Sequence, residues 1–230
     1  MNRAIAVTGT DTGVGKTRIA SALLLALRAT GAQVAGYKPV ASGSDATAEG
    51  LRNEDALALQ AASSPGLRYD EVNPVTFAPA IAPHIAAQRE GRPIPLATLD
   101  QGLEALRARH AWVVVEGAGG WRVPLTDRVD FADWVTGHRL PTLLVVGIRL
   151  GAINHSLLTA EALKAAGLWL GWIGNVLPEE DTGTAEEMLQ TLQARLGAPL
   201  GIMACGEAPE ALARRLDVET LSQAWASLQG

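Results

Sequence analysis

Gly9-Thr10-Asp11-Thr12-Gly13-Val14-Gly15-Lys16-Thr17 follows the apolar run Ala4-Ile5-Ala6-Val7 and precedes a long Ala/Leu-rich segment. That order reads as strand, phosphate-binding loop, helix. Small residues let the backbone turn its N–H groups inward around phosphate oxygens, and the following helix adds the positive end of its dipole at the same place. In such a loop Lys16 meets the β- and γ-phosphates and Thr17 holds Mg²⁺. The strict spacing puts the first glycine at Thr10; here it stands one residue earlier, at Gly9, while the Gly-Lys-Thr ending is intact. A dinucleotide fingerprint built on Gly13-Val14-Gly15 needs glycine at position 18, where the chain has Arg18. An ordinary Gly-rich turn is the plainer alternative, and the strand-to-helix context argues against it.

A chain of 230 residues suits one large α/β domain, and a single domain spanning 1–230 is expected. The net charge of −5 gives no global attraction to nucleic acid or to an anionic membrane. The phosphate loop comes too early for a secretory leader, and no apolar run approaches the roughly 20 residues that span a bilayer, so a cytoplasmic protein is expected. Cys205 is the one cysteine; it can form neither an internal disulfide nor a cysteine-based zinc site, and is expected to be a packed, inert thiol. The four histidines are dispersed, without metal-ligand spacing.

Outward from the loop, a helix is predicted from Thr17 to about Arg28, its apolar residues covering most of the circumference as suits a helix lying against a sheet. Val34 to Lys38 reads as a second strand stopped by Pro39, which leaves Lys38 at the carboxyl end, the edge where open α/β sheets bind ligands. Residues 39–52 read as a long polar loop. Asn53 can cap a helix running to about Ala62, with Glu54 and Asp55 in its first turn; on the residues alone, Asp55 complements the helix dipole. Four prolines punctuate 63–84, read as irregular with one short strand at Val75 to Phe77, and His84 reads as a satisfied structural histidine.

A helix from Leu96 to Arg109 leads into Trp112-Val113-Val114-Val115-Glu116, then Gly117-Ala118-Gly119-Gly120. An apolar strand ending in a carboxylate matches the second half of a phosphate-loop site, where the strand-end acid faces the metal; Glu in place of the commoner Asp adds one methylene of reach. Phe131 to Thr136 is a short predicted helix, and Thr142 to Val146 an apolar strand of the kind buried on both faces. Gly151-Ala152-Ile153-Asn154-His155-Ser156 opens a helix whose N-terminus can receive an anion, with capping by Asn154 as the bland alternative. A strand from Leu170 to Val176 carries Asn175 near its end; a helix around 185–196, a strand at 200–203 and terminal helices follow. The fold class is α/β: a three-layer P-loop NTPase-like domain, mostly parallel sheet with helices on both faces. Lys16, Thr17, Lys38 and Glu116 fall on one edge of it, an arrangement for a nucleotide and a second substrate. No Ser-His-Asp order or Cys-His pair offers a protein nucleophile, so direct transfer to bound substrate or to water is expected.

Four blocks together resemble the dethiobiotin synthetase family: Val7 to Thr12 with Val14-Gly15-Lys16-Thr17; Gly36-Tyr37-Lys38-Pro39-Val40-Ala41-Ser42-Gly43; Val115 to Gly120; and Leu150-Gly151 with Ile153-Asn154-His155. The resemblance implies a homodimer that converts 7,8-diaminononanoate, CO₂ and ATP into dethiobiotin, ADP and phosphate with Mg²⁺. One amine captures CO₂ as a carbamate, the γ-phosphate activates the carbamate as a mixed anhydride, and the neighbouring amine closes a cyclic urea. By the same resemblance Lys16 and Lys38 neutralise the γ-phosphate and the carbamate, Thr17, Asp55 and Glu116 hold Mg²⁺, and Gly13, Val14 and Gly15 wrap the phosphates. Gly117, Ala118 and Gly119 join the nucleotide site, Asn175 reads adenine, and Thr12, Ser42 and Gly119 contact the diamine or its carbamate. Leu150, Gly151 and Asn154 of the other subunit take the substrate carboxylate. Two other P-loop classes compete. A ParA-like switch ATPase carries a signature lysine where this chain has Asp11, and an amidotransferase-type synthase needs a glutaminase cysteine for which Cys205 lacks the context.

Overall fold

The computed structural model describes residues 2–178 and 182–229. The elements run β1 (Arg3–Gly9), α1 (Lys16–Ala29), β2 (Val34–Tyr37), β3 (Val40–Ser42), β4 (Asp45–Thr47), β5 (Gly50–Arg52), α2 (Glu54–Ala62), α3 (Tyr69–Val72), β6 (Val75–Phe77), α4 (Pro83–Glu90) and α5 (Leu96–Arg109). Then come β7 (Trp112–Gly120), α6 (Phe131–Gly137), β8 (Thr142–Ile148), α7 (Ala152–Ala165), β9 (Trp169–Val176), α8 (Thr182–Leu196), β10 (Gly201–Met203), α9 (Pro209–Ala213) and α10 (Val218–Ser227). The main sheet has the order β10-β9-β8-β1-β7-β2, with every pair parallel.

Alternation along β1 divides the core. Ala4 and Ala6 join a cluster with Val113, Val115, Leu144 and Trp172 under α4 to α8, whereas Ile5 and Val7 join Val114, Leu143, Val145 and Ile173 under α1, α2, α9 and α10. A sheet covered on both faces explains why β7 and β8 are wholly apolar rather than alternating. Two tryptophans pin the last helix back onto the first strand: Trp225 Nε1 donates to the Ala4 carbonyl at 2.9 Å and its ring meets Trp112 edge-on at 5.9 Å.

The parallel register is what builds the ligand edge. Val7 lies opposite Glu116 and Tyr37 opposite Val115, so Lys38, one residue past Tyr37, comes level with Glu116, and the loop after β1 opens beside both. Residues 39–52, expected to be one loop, instead form β3, which pairs with β6, and the small antiparallel hairpin of β4 and β5. The four-residue α3 inside the stretch expected to be irregular is a second correction. Cys205 is exposed, not packed. His84, on α4, departs from the satisfied histidine expected: its Nδ1 is buried without a partner among the described residues.

The glycines after Glu116 continue β7 rather than leaving it. Gly117 is glycine for a packing reason, since a Cβ there would sit 2.6 to 3.0 Å from three ring carbons of Phe131. Gly117→Ala is therefore expected to lower stability by about 1–3 kcal/mol through overpacking, read as a fall of several degrees in Tm. An unchanged Tm would mean that the ring moves aside at no cost.

Candidate active site

The site is assembled around the loop between β1 and α1. Gly13 and Gly15 have φ of 76° and 92°, the left-handed region in which a Cβ is strained, and a Cβ on Gly15 would also run into the Asn175 carboxamide. Gly9 is held to glycine by Val14, whose Cγ2 would lie 2.6 Å from an added Cβ. Val14 is fully buried and anchors the loop tip in the core, while Asp11, Thr12 and Gly13 are exposed.

A cleft of about 560 Å³ opens over this loop, and Thr12, Gly13, Gly15, Lys16, Thr17, Lys38, Ser42, Asp55, Glu116, Ala118 and Gly119 are among the residues that line it. Most of the residues named from the sequence thus share one space. Three oxygens converge at its floor. Thr17 Oγ1 lies 2.7 Å from Asp55 Oδ1 and 2.9 Å from Glu116 Oε1, within hydrogen-bonding reach of two carboxylates although a hydroxyl has one proton to give. The Lys38 ammonium bridges the same two acids, at 2.7 Å from Glu116 Oε1 and 2.9 Å from Asp55 Oδ2. Lys16 Nζ donates to the Asp11 carbonyl at 3.0 Å, which folds the side chain back along its own loop.

Burial sets the electrostatics. Glu116 is completely buried and Lys38 is 3% exposed. Burial by itself pulls the Lys38 pKa down, but the charges and hydrogen bonds of Glu116 and Asp55 outweigh it, and the net direction is up. Lys16 goes the other way: burial lowers its pKa, and with Lys38 adding to the lowering the opposing charges of Glu116, Asp55 and Asp11 do not restore it. For Asp55 burial raises the pKa, but Lys38 and the Thr17 hydroxyl overcome that and hold the carboxyl below its ordinary value.

The donor set fits a divalent metal of the hard, oxygen-seeking kind. Glu116 Oε2 is buried without a protein partner, and a second carboxylate and a hydroxyl stand beside Oε1. Among the described residues no three His, Cys, Asp or Glu side chains cluster into a full cage. Mg²⁺ needs none, because one or two carboxylates with phosphate oxygens and water complete its shell.

The remaining sequence-derived residues lie outside the cleft lining of this single chain. Gly117 packs on Phe131. Asn175 sits beneath the loop, 1% exposed, with Nδ2 donating to the Val14 carbonyl at 3.0 Å and Oδ1 buried without a protein partner. Leu150 and Gly151 lead into α7 and Asn154 stands in its first turn, on the surface, where Leu150 is 90% exposed and Gly151 is the N-cap at φ 91°. Arg149 beside them reaches the phosphate loop, its Nη2 2.6 Å from Asp11 Oδ2. Sequence reasoning missed that contact, because 138 residues separate the partners.

Comparison with known proteins agrees with this geometry. The family model described as an AAA domain matches residues 3–210. The ATP-dependent dethiobiotin synthetase of Yersinia pestis bv. Antiqua (strain Angola) is 54% identical over 195 residues, 84% of this chain and 81% of that one. The ATP-dependent dethiobiotin synthetase BioD 1 of Escherichia coli (strain K12) is 54% identical over 201 residues, 87% of this chain and 89% of that one. Among solved structures, the cobyrinic acid a,c-diamide synthase of Mycobacterium smegmatis with bound ADP and magnesium has a TM-score of 0.54 at 16% identity, covering 99% of this chain and 96% of that one, a likeness of fold alone. The cobyrinic acid synthase thus shares the fold but little of the sequence, and Asp11 stands where a ParA-like switch ATPase carries lysine. With half of its residues identical across most of both chains, and an ATP-type loop facing a Lys38-Asp55-Glu116 cluster, this chain belongs to the ATP-dependent dethiobiotin synthetases, P-loop ligases of biotin biosynthesis.

Proposed function

We propose that this chain carboxylates 7,8-diaminononanoate with CO₂ and closes the ring to dethiobiotin, using ATP and releasing ADP and phosphate. The observation that carries the reading is the buried Lys38 ammonium held beside two carboxylates in the cleft that opens over the phosphate loop. One substrate amine attacks CO₂ and loses a proton to give a carbamate; a carbamate oxygen takes the γ-phosphoryl group as ADP leaves; the second amine then attacks the carbamate carbon and phosphate leaves. Lys16 and Lys38 neutralise the γ-phosphate and the carbamate, and their charge favours the neutral amine that the first step needs. Thr12, Ser42 and Gly119 orient the carbamate, Gly13, Val14 and Gly15 give backbone N–H groups to the phosphates, and Ala118 and Gly119 flank the nucleotide. Thr17, Asp55 and Glu116 would hold Mg²⁺, which supplies charge neutralisation of the phosphate oxygens.

The Asn175 carboxamide, with its unpartnered Oδ1, suits an exocyclic amine such as that of adenine. The exposed start of α7 suits the substrate carboxylate of a second copy, with Leu150, Gly151 and Asn154 at its N-terminus, so the working unit is a homodimer of one-domain chains. The cytoplasm, where ATP is made, is its compartment; among the described residues no helix is long and apolar enough to cross a membrane.

Phosphate release from Mg-ATP, measured with and without the diamine and bicarbonate, tests the reading together with the mass of the product. Release should require the diamine and yield a product heavier than it by CO and lighter by H₂. Turnover that ignores the diamine but responds to DNA or a protein partner would replace this reading with a switch ATPase.

A further inference from the structure

Among the described residues no strand lies beside the outer edge of β2 in the main sheet, yet its outward N–H groups are satisfied as far as Lys38. Ser64 Oγ accepts from Val34 N at 2.9 Å, Ser63 Oγ accepts from Gly36 N at 2.8 Å, and the Val72 carbonyl accepts from Lys38 N at 2.8 Å. A run of side chains and one helix end thus stands in for the missing strand. The Lys38 carbonyl is held as well, accepting from Asn73 Nδ2 at 2.7 Å. Pro39 follows and brings no N–H, so residues 72 and 73 fix both polar groups of the Lys38 backbone just where the strand ends.

Asn73 is 3% exposed and every polar atom of its side chain is used. Nδ2 also donates to the Val75 carbonyl at 3.1 Å, and Oδ1 accepts from the Tyr69 hydroxyl at 3.0 Å. The Tyr69 oxygen accepts in turn from Asn53 N at 2.8 Å, and the Arg52 guanidinium lies over its ring, 4.3 Å from the centroid. Asn53 caps α2 by accepting from Ala56 N at 3.2 Å and donates to the carbonyls of Ser42 and Gly43 at 3.3 and 3.2 Å. One hydrogen-bonded chain therefore starts on the backbone of Lys38 and ends on the helix that carries Asp55 and on the segment that carries Ser42. None of Asn53, Tyr69 and Asn73 lines the cleft. A buried amide with all its partners made has a single favoured orientation, so displacing one link shifts the others.

We infer that Asn73 and Tyr69, joined through Asn53, are positioning residues that set the place of the Lys38 ammonium between Asp55 and Glu116. The inference rests on the proposed part of Lys38 in carbamate activation. The competing role, simple anchoring of residues 63–77 to the sheet edge, differs in one respect: it would loosen the nucleotide site and the fold along with Lys38, whereas the phosphate loop makes none of the bonds in this chain.

Tyr69→Phe removes one hydroxyl and Asn73→Ala removes the amide, each in the full chain. Two measurements separate the roles. The first is acylation of Lys38 by an amine-selective reagent, read by peptide mass analysis against the exposed Lys164, and it needs no turnover. The second is steady-state kinetics with Tm and the dissociation constant of ADP without Mg²⁺, a readout that does not pass through Asp55. Lys38 labelling should rise about threefold over Lys164 and kcat should fall about tenfold, while the metal-free ADP constant stays within about twofold. Unchanged labelling and kcat, or a kcat loss matched by equal losses of nucleotide affinity and Tm, would overturn the inference. Were the wild-type chain to make no cyclic urea, the functional reading would fall by itself, and the labelling ratio would still decide whether the network holds Lys38.

Discussion

Lys38→Ala is expected to cut dethiobiotin formation by about 10²–10³-fold while leaving Mg-ATP binding intact or slightly tighter. The two halves of that expectation have separate causes. Lys38 is the better proton keeper of the two site lysines: the direct contacts of its ammonium with Glu116 and Asp55 raise its pKa, whereas burial lowers that of Lys16. A firmly held cation at a buried position contributes most where new negative charge develops, on the carbamate and on the transferred phosphoryl group, and its removal is felt in the chemical step. In the proposed site nucleotide binding would rest instead on the backbone of the loop and on Lys16, whose ammonium is hydrogen-bonded to the Asp11 carbonyl and not to Lys38. Lys38 also competes for Glu116 Oε1, the oxygen Thr17 approaches from the other side, so its loss frees that atom for a metal. The same change strips the counter-charge from a fully buried glutamate, so Tm without ligand should fall and Mg-ATP should recover part of it. Quenched-flow product formation with a parallel nucleotide titration checks both halves; wild-type turnover would remove Lys38 from the mechanism.

What the sequence discloses here follows how local each signal is. The phosphate loop and the Val-Val-Val-Glu strand end are short contiguous patterns whose residues act on neighbours in the chain, and both were readable. Asp55 shows the limit. Its placement in the first turn of a helix capped by Asn53 was legible, and both features are present, but the carboxylate also lies 2.7 Å from Thr17, 38 residues away. Only the family resemblance pointed to metal binding there, because complementing a helix dipole and holding a metal call for the same residue type at the same position. Residues 39–52 defeated periodicity altogether. Their strands are three residues long, and β3 is a strand only because Val40 pairs with Val75 in a separate small sheet. The Asn73-Tyr69-Asn53 chain was invisible for the same reason: beyond the local Tyr69-Asn73 bond it is made of side-chain to backbone bonds across sequence gaps of 16 and 35 residues. Cys205 was misjudged because an unpaired cysteine is usually packed, and its segment after β10 lies on the surface.

Glu116→Gln should weaken Mg²⁺-dependent use of ATP about 10²-fold, with the Mg²⁺ concentration for half-maximal phosphate release raised at least about tenfold at saturating ATP. The substitution keeps the shape of the side chain and removes its charge, at a position with no solvent to compensate. Two placements of the amide are open to it, and both are poor. With the carbonyl oxygen in place of Oε1, Thr17 and Lys38 keep an acceptor, but the NH₂ group takes the place of Oε2 and turns the acceptor proposed for the metal into a donor. With the amide turned, its N–H groups face the Lys38 ammonium at the position now 2.7 Å from it, donor against donor. Lys38 is then left to Asp55, whose side chain is 45% exposed and holds it less firmly, so the ammonium is loosened as the metal site is weakened. Asp55→Asn makes the control, since water can satisfy that half-exposed amide, and its effect on Mg²⁺ dependence should be the smaller of the two. Metal dependence identical to wild type in Glu116→Gln would refute the ligand assignment, and an effect of Asp55→Asn exceeding that of Glu116→Gln would place the metal nearer to α2 than to β7.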